Sequence, residues 1–126
     1  MEHPIALKRA YEAPSPGDDQ RVLVDRLWPR GVSKEKLNIA EWYRTVAPSS
    51  ALRIWFGHDP ARWTEFKKRY FAELESHTEN WRPIAGWAIK GKVTLVYGAR
   101  DTEHNDAVAL KEFLEIKLAR KPAAAR

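Results

Sequence analysis

Cysteine is absent from this chain of 126 residues. Disulfides, thiolate catalysis and cysteine-ligated zinc or iron–sulfur centres are excluded with it. Long apolar runs are missing too: nothing approaches the roughly 18 residues of a membrane span. The opening residues, MEHPIALKRAYE, carry no signal-peptide core. No membrane association and a cytoplasmic location are the expectation. There is no internal repeat and no recognised metal-ligand spacing, so neither a metal nor a cofactor is expected.

What is present suits a soluble globular domain, with 44% hydrophobic and 31% charged residues. We expect one domain over residues 1–118 and a basic tail over 119–126. The net charge of +5 invites a nucleic-acid reading, but its distribution weakens it. Residues 1–115 hold 18 Lys and Arg against all 17 Asp and Glu. The excess sits at the C-terminal end, on Lys117, Arg120, Lys121 and Arg126.

Three apolar runs read as strands: residues 5–11 (IALKRAY), 22–24 (VLV) and 93–97 (VTLVY). The last two are apolar on consecutive positions, as in strands covered on both faces. The loop at 12–20 is short for a parallel crossover, which leaves the pairing of the first two strands open.

The middle of the chain reads as helical. Ser33 caps a short helix at 34–37, residues 41–46 form a turn or two, and Ser49 or Ser50 opens a segment closed by Gly57. Asp59 and Pro60 start the clearest helix, with Trp63, Phe66, Tyr70, Leu74 and His77 on one stripe. A further helix spans residues 81–89. Asp101 or Thr102 caps the final helix, whose stripe is Ala107, Leu110, Leu114 and Leu118. Val108, Phe113 and Ile116 lie elsewhere around it, so a second helix or a homodimer partner contacts another side. The fold class is therefore α/β: a small three-layer sandwich with a short, mostly parallel central sheet and about five helices.

Two strands end in an abrupt switch to charge. The first is followed by Asp25, Arg26, Trp28 and Arg30, the second by Gly98, Arg100, Asp101, His104 and Asn105. In open α/β sheets ligands bind beyond the carboxyl ends of the strands. Arg26, Arg30 and Arg100 offer forked donors, and helix N-termini add N–H groups, a combination that suits a phosphate or nucleotide-like anion. Asp25 and Asp101 are candidate bases or arginine-orienting groups, and His104 a candidate proton donor. His58, before a helix cap, and Asn105 join the candidate ligand-binding set, as does Trp28, whose ring suits stacking on a base. The alternative for the same residues is structural pairing and capping. The alternative for the chain is a nucleic-acid-binding or interaction protein without catalysis.

The blocks RVLVDRLWPRGVSKEKL (21–37), LRIWFGHDPARWTEFKKRY (52–70) and VTLVYGARDTEHNDAVALKEFL (93–114) resemble the YeaO-like branch of the bacterial domain-of-unknown-function family 488. The resemblance covers about residues 5–118 and implies a small α/β sandwich and the location of a site rather than a reaction. Longer relatives carry an Asp-x-Arg block after the second strand and a Cys-Ala-Glu…Cys-His-Arg block after a later one. Asp25-Arg26 and the segment from Gly98 to His104 match those places. This chain has no cysteine there, carries Gly98 where alanine is expected, and has Asp106 where histidine is frequent.

Overall fold

The computed structural model describes residues 5–124, with side chains to residue 119. His3 and the basic side chains of Arg120, Lys121 and Arg126 lie outside the described residues. Four strands, β1 (Ile5–Arg9), β2 (Gln20–Leu23), β3 (Glu41–Trp42) and β4 (Val93–Tyr97), form one sheet in the order β1-β4-β2-β3. Every neighbouring pair is parallel. Five helices accompany them: α1 (Lys34–Leu37), α2 (Ser50–Phe56), α3 (Trp63–Ser76), α4 (Thr78–Lys90) and α5 (Asp106–Ala124). The fold is the expected small α/β sandwich with a parallel sheet.

The side-chain alternation of the strands divides the core in two. Val22, Val24, Val93, Leu95 and Tyr97 face a large cluster built with α2, α3, α4 and α5, including Phe56, Phe66, Tyr70, Trp81, Ile84, Leu110 and Leu114. Leu23 and Val96 face the other way, onto a small cluster with Leu37, Trp28, Val32, Ile39 and Trp42. Every residue of β4 is buried, which explains its unbroken apolar run at the centre of the sheet.

The link at residues 10–19 does not join neighbouring strands, because β4 lies between β1 and β2. It is fixed by Asp18, whose carboxylate meets Lys8 at 3.0 Å and buried Arg21 at 2.8 Å. Thr94 donates its hydroxyl to the Asp18 carbonyl at 2.8 Å. Arg21 in turn donates to the Leu37 carbonyl at the end of α1. One polar network thus ties the crossover to four elements, β1, β2, β4 and α1.

Two local expectations are corrected. Residues 41–46 are not a helical turn throughout: β3 pairs with β2, and a 3₁₀ turn follows at Arg44–Val46. The open edge of β2 captures this backbone, with Ala40 and Tyr43 N–H donating to the Arg21 and Leu23 carbonyls. The last helix starts later than expected and is capped by Asn105, whose Oδ1 accepts the Val108 N–H. Asp101 instead closes a tight turn, its Oδ1 accepting the Glu103 and His104 N–H groups.

The other caps follow the sequence. Ser33 accepts from Lys36 N–H and Ser49 from Leu52 N–H, while Gly57 ends α2 at φ 54°. Asp59 and Pro60 open a 3₁₀ turn that runs into α3. Phe66, Tyr70 and Leu74 form its buried stripe, but His77 is exposed at the break between α3 and α4. On α5, Phe113 is buried against Phe71 of α3 and Trp81 of α4, so two helices supply that contact, while Ile116 stays exposed. The helix continues to Ala124, through most of the segment expected as a tail. Among the described residues no helix is long and apolar enough to cross a membrane.

Candidate functional site

β2 and β4 are adjacent and parallel, so their C-terminal ends open onto the same edge of the sheet. There, Asp25 accepts the Gly98 N–H on Oδ2 at 2.8 Å. A cavity of about 300 Å³ lies at this edge. Asp25, Arg26, His58, Asn105 and Asp106 line it, together with Arg53 from α2. Its apolar wall comes from Leu27, Ala47, Pro48, Phe56, Phe66 and Ala99.

The polar floor is a pair of carboxyl groups. Burial pushes the Asp25 carboxyl above its ordinary range. Asp106, in the first turn of α5, is raised much further, by burial first and then by the neighbouring Asp25 charge. Both shifts favour a proton held between the two carboxyl groups, more strongly on the Asp106 side. Asp106 Oδ1 also accepts the Ala107 N–H at 3.0 Å. Burial likewise drives the Tyr70 hydroxyl above its usual range, and it donates to the Val46 carbonyl.

Arg26 stands between this cavity and a second, more polar cleft. Its Nη2 donates to the Pro48 carbonyl at 3.0 Å. Its Nε is shielded from solvent and has no acceptor among the described residues. A buried donor without a partner is costly, and native chains leave few of them. The second cleft has a volume of about 350 Å³ and contains Glu73, whose carboxylate is engaged by the Ser49 N–H and hydroxyl.

The sequence candidates divide into two groups. Asp25, Arg26, His58 and Asn105 line the cavity. Trp28, Arg30, Arg100, Asp101 and His104 are not among its lining residues. Trp28 packs edge-on against Trp42 in the small core, with Nε1 donating to the Val32 carbonyl. Arg30 and Arg100 are exposed. His104 pairs through Nδ1 with Asp101 Oδ2 at 2.9 Å, and its ring meets the edge of Trp63. The Glu103 N–H and then His104 hold the Asp101 carboxyl below its ordinary range.

Sequence reasoning missed the parts played by Arg53 and Asp106. Arg53 falls on the exposed side of a short helix and gives no local signal. Asp106 reads as a helix-dipole residue, and the available hint was its position directly after the asparagine cap.

Comparison with known proteins places the chain in a family. A family profile described as "Inactive DUF488-N3 subclade" matches residues 4–126. The chain is 38% identical over 110 residues to the uncharacterized protein YeaO of Escherichia coli K12, covering 87% of this chain and 96% of that protein. It is 38% identical over 112 residues to the uncharacterized protein Rv3073c of Mycobacterium tuberculosis H37Rv, covering 87% of this chain and 92% of the relative. No solved structure matches significantly. On the strength of that profile and these relatives, the chain belongs to the YeaO-like proteins of family 488, within the subclade described as inactive.

Proposed function

We propose that this chain is a non-catalytic binding domain whose strand-end cavity holds a small anionic molecule. The observation that carries this reading is Arg26, a guanidinium at the cavity wall with a buried Nε that lacks an acceptor among the described residues. The cavity's position matches where parallel sheets receive ligands, and its size is at the lower end for small-molecule sites. Arg26 and Arg53 bring two positive charges to the lining, against a carboxyl pair that burial disposes to share a proton, so the cavity favours one anionic group. His58 and Asn105 flank the ligand in this reading, and exposed Arg30 and Arg100 draw anions toward the sheet edge.

Binding without catalysis accords with the family's description as inactive. Of the three candidate acids and bases, His104 and Asp101 are engaged with each other away from the cavity lining, and Asp25, which lines it, accepts the Gly98 N–H. Calorimetric titration with inorganic phosphate, a mononucleotide and small carboxylates tests the reading. Saturable binding of an anion that is lost in Arg26→Ala supports it. If none of these anions binds to the folded chain, the reading is wrong.

A further inference from the structure

The anions that suit this strand edge differ sharply in their donor requirements. A phosphate needs several N–H groups converging on it, commonly from a glycine turn and a helix N-terminus. Both elements are present here, yet several of their N–H groups already have acceptors within the chain. The Gly98 N–H is bound by Asp25, the Ala107 N–H by Asp106 and the Val108 N–H by Asn105. The turn before them is closed the same way, with Asp101 accepting from Glu103 and His104. Acidic and amide side chains therefore compete with phosphate oxygens for these donors.

What remains for an incoming anion is one guanidinium edge and an apolar wall. Arg26 lines the cavity with a guanidinium whose shielded Nε has no acceptor among the described residues, and Arg53 offers a second, more exposed guanidinium. Phe56 and Phe66 are stacked with ring centroids 4.4 Å apart and line the same cavity. A phosphate monoester dianion would carry more charge than these two arginines balance once Asp25 is counted. A single negative charge on an apolar body fits both the charge and the lining. In the second cleft no other arginine accompanies Arg26, and the Glu73 carboxylate opposes an anion.

We infer that the cavity takes a small monocarboxylate, its carboxylate on Arg26 and its apolar or aromatic body against Phe56, Phe66 and Pro48. This inference rests on the proposed anion-binding reading and narrows its ligand class from phosphate or nucleotide to carboxylate.

The test compares phenylacetate, acetate and phenyl phosphate by calorimetry at neutral pH on the full chain. Phenylacetate should bind saturably and about tenfold or more tighter than acetate, because only it covers the apolar wall. It should also bind more tightly than phenyl phosphate. Arg26→Gln should weaken phenylacetate about tenfold or more, the loss of a charge-assisted contact. Arg53→Ala, at an exposed position that leaves the core intact, should weaken it to a smaller degree. If phenyl phosphate binds as tightly as phenylacetate or more so, the carboxylate inference falls while the anion pocket stands. If no anion binds, both fall. Unchanged phenylacetate affinity in a folded Arg26→Gln variant overturns the assignment to Arg26.

Discussion

The Asp25 carboxylate accepts the Gly98 N–H at 2.8 Å, joining the end of β2 to the end of β4 across 73 positions of sequence. An added Cβ at Gly98 would lie 3.4 Å from Asp25 Oδ2, an ordinary contact, and Gly98 does not adopt a positive φ. Gly98→Ala should therefore leave the chain as stable as before or more so, by about 0.5 kcal/mol, through the smaller entropy of its unfolded state. Asp25→Ala should cost about 1–3 kcal/mol because it orphans that N–H. Urea denaturation separates the two. A loss above about 1 kcal/mol in Gly98→Ala would mean that the contact with Asp25 cannot relax.

Asp106 gives the stability curve a definite slope. Its carboxyl is raised in the folded chain by burial and by Asp25, so above the unfolded value of about 4 the folded state still holds a proton the unfolded state has released. Stability from this group is complete below the unfolded value and declines as pH rises toward the folded one. Asp106→Asn keeps the shape and the donor but removes the titration. Its melting temperature should exceed that of the parent at pH 8 and converge with it near pH 4. Parallel curves across that range would show that Asp106 is ionised in the folded chain.

Asp18 should act with the opposite sign. Burial raises its carboxyl, but the Ser15 N–H, Lys8, the Ser15 hydroxyl and Arg21 together hold it well below the ordinary range. Its contribution is therefore present above the unfolded value of about 3.9 and is lost as pH falls below it. Asp18→Asn should cost about 3 kcal/mol at neutral pH by leaving Arg21 buried without its counter-ion. The deficit should shrink in acid, which thermal melts as a function of pH would reveal.

Much of the fold is legible in local chemistry. The buried run at Val93–Tyr97 marks the central strand, and Ser33, Ser49, Gly57 and Asp59 mark helix ends, because each acts on backbone within a few residues. The strand at Glu41–Trp42 is not legible, since it exists only because β2 offers an unpaired edge. The site divides the same way. Asp25 and Arg26 are apparent as strand-end residues, whereas Asp106 acquires its character only when α5 brings it beside Asp25. Trp28 misleads as a stacking platform because nothing in the sequence places Trp42 against it, with ring centroids 5.4 Å apart.

Tyr70 separates packing from hydrogen bonding in the main core. Its ring is 1% exposed among Val46, Phe66 and Leu74, and its hydroxyl donates to the Val46 carbonyl at 2.6 Å. Tyr70→Ala should cost about 3–5 kcal/mol through the cavity it leaves. Tyr70→Phe should cost about 1–2 kcal/mol, mostly the unpaired carbonyl. Trp63→Ala, at a partly exposed ring, should fall below Tyr70→Ala. Equal losses for Tyr70→Phe and Tyr70→Ala in chemical denaturation would assign all of the effect to the hydroxyl.

His58 holds a left-handed backbone, φ 58°, directly after Gly57 at φ 54°, while its side chain lines the cavity. A residue with a Cβ is strained in that region by roughly 1–2 kcal/mol, and glycine is not. Two consecutive left-handed residues turn the chain sharply from α2 toward the Asp59 cap, which keeps the imidazole at the cavity wall. His58→Gly and His58→Ala both remove the ring, but only the first relieves the backbone. The glycine variant should therefore be more stable than the alanine variant by about 1 kcal/mol. Both should weaken phenylacetate binding to the same extent, since the lost contact is the same. Comparing their unfolding free energies and their calorimetric affinities tests strain and contact separately. Alanine matching glycine in stability would show that the turn relaxes without its histidine. Unequal affinities would show that the backbone angle itself, rather than the ring, shapes the cavity.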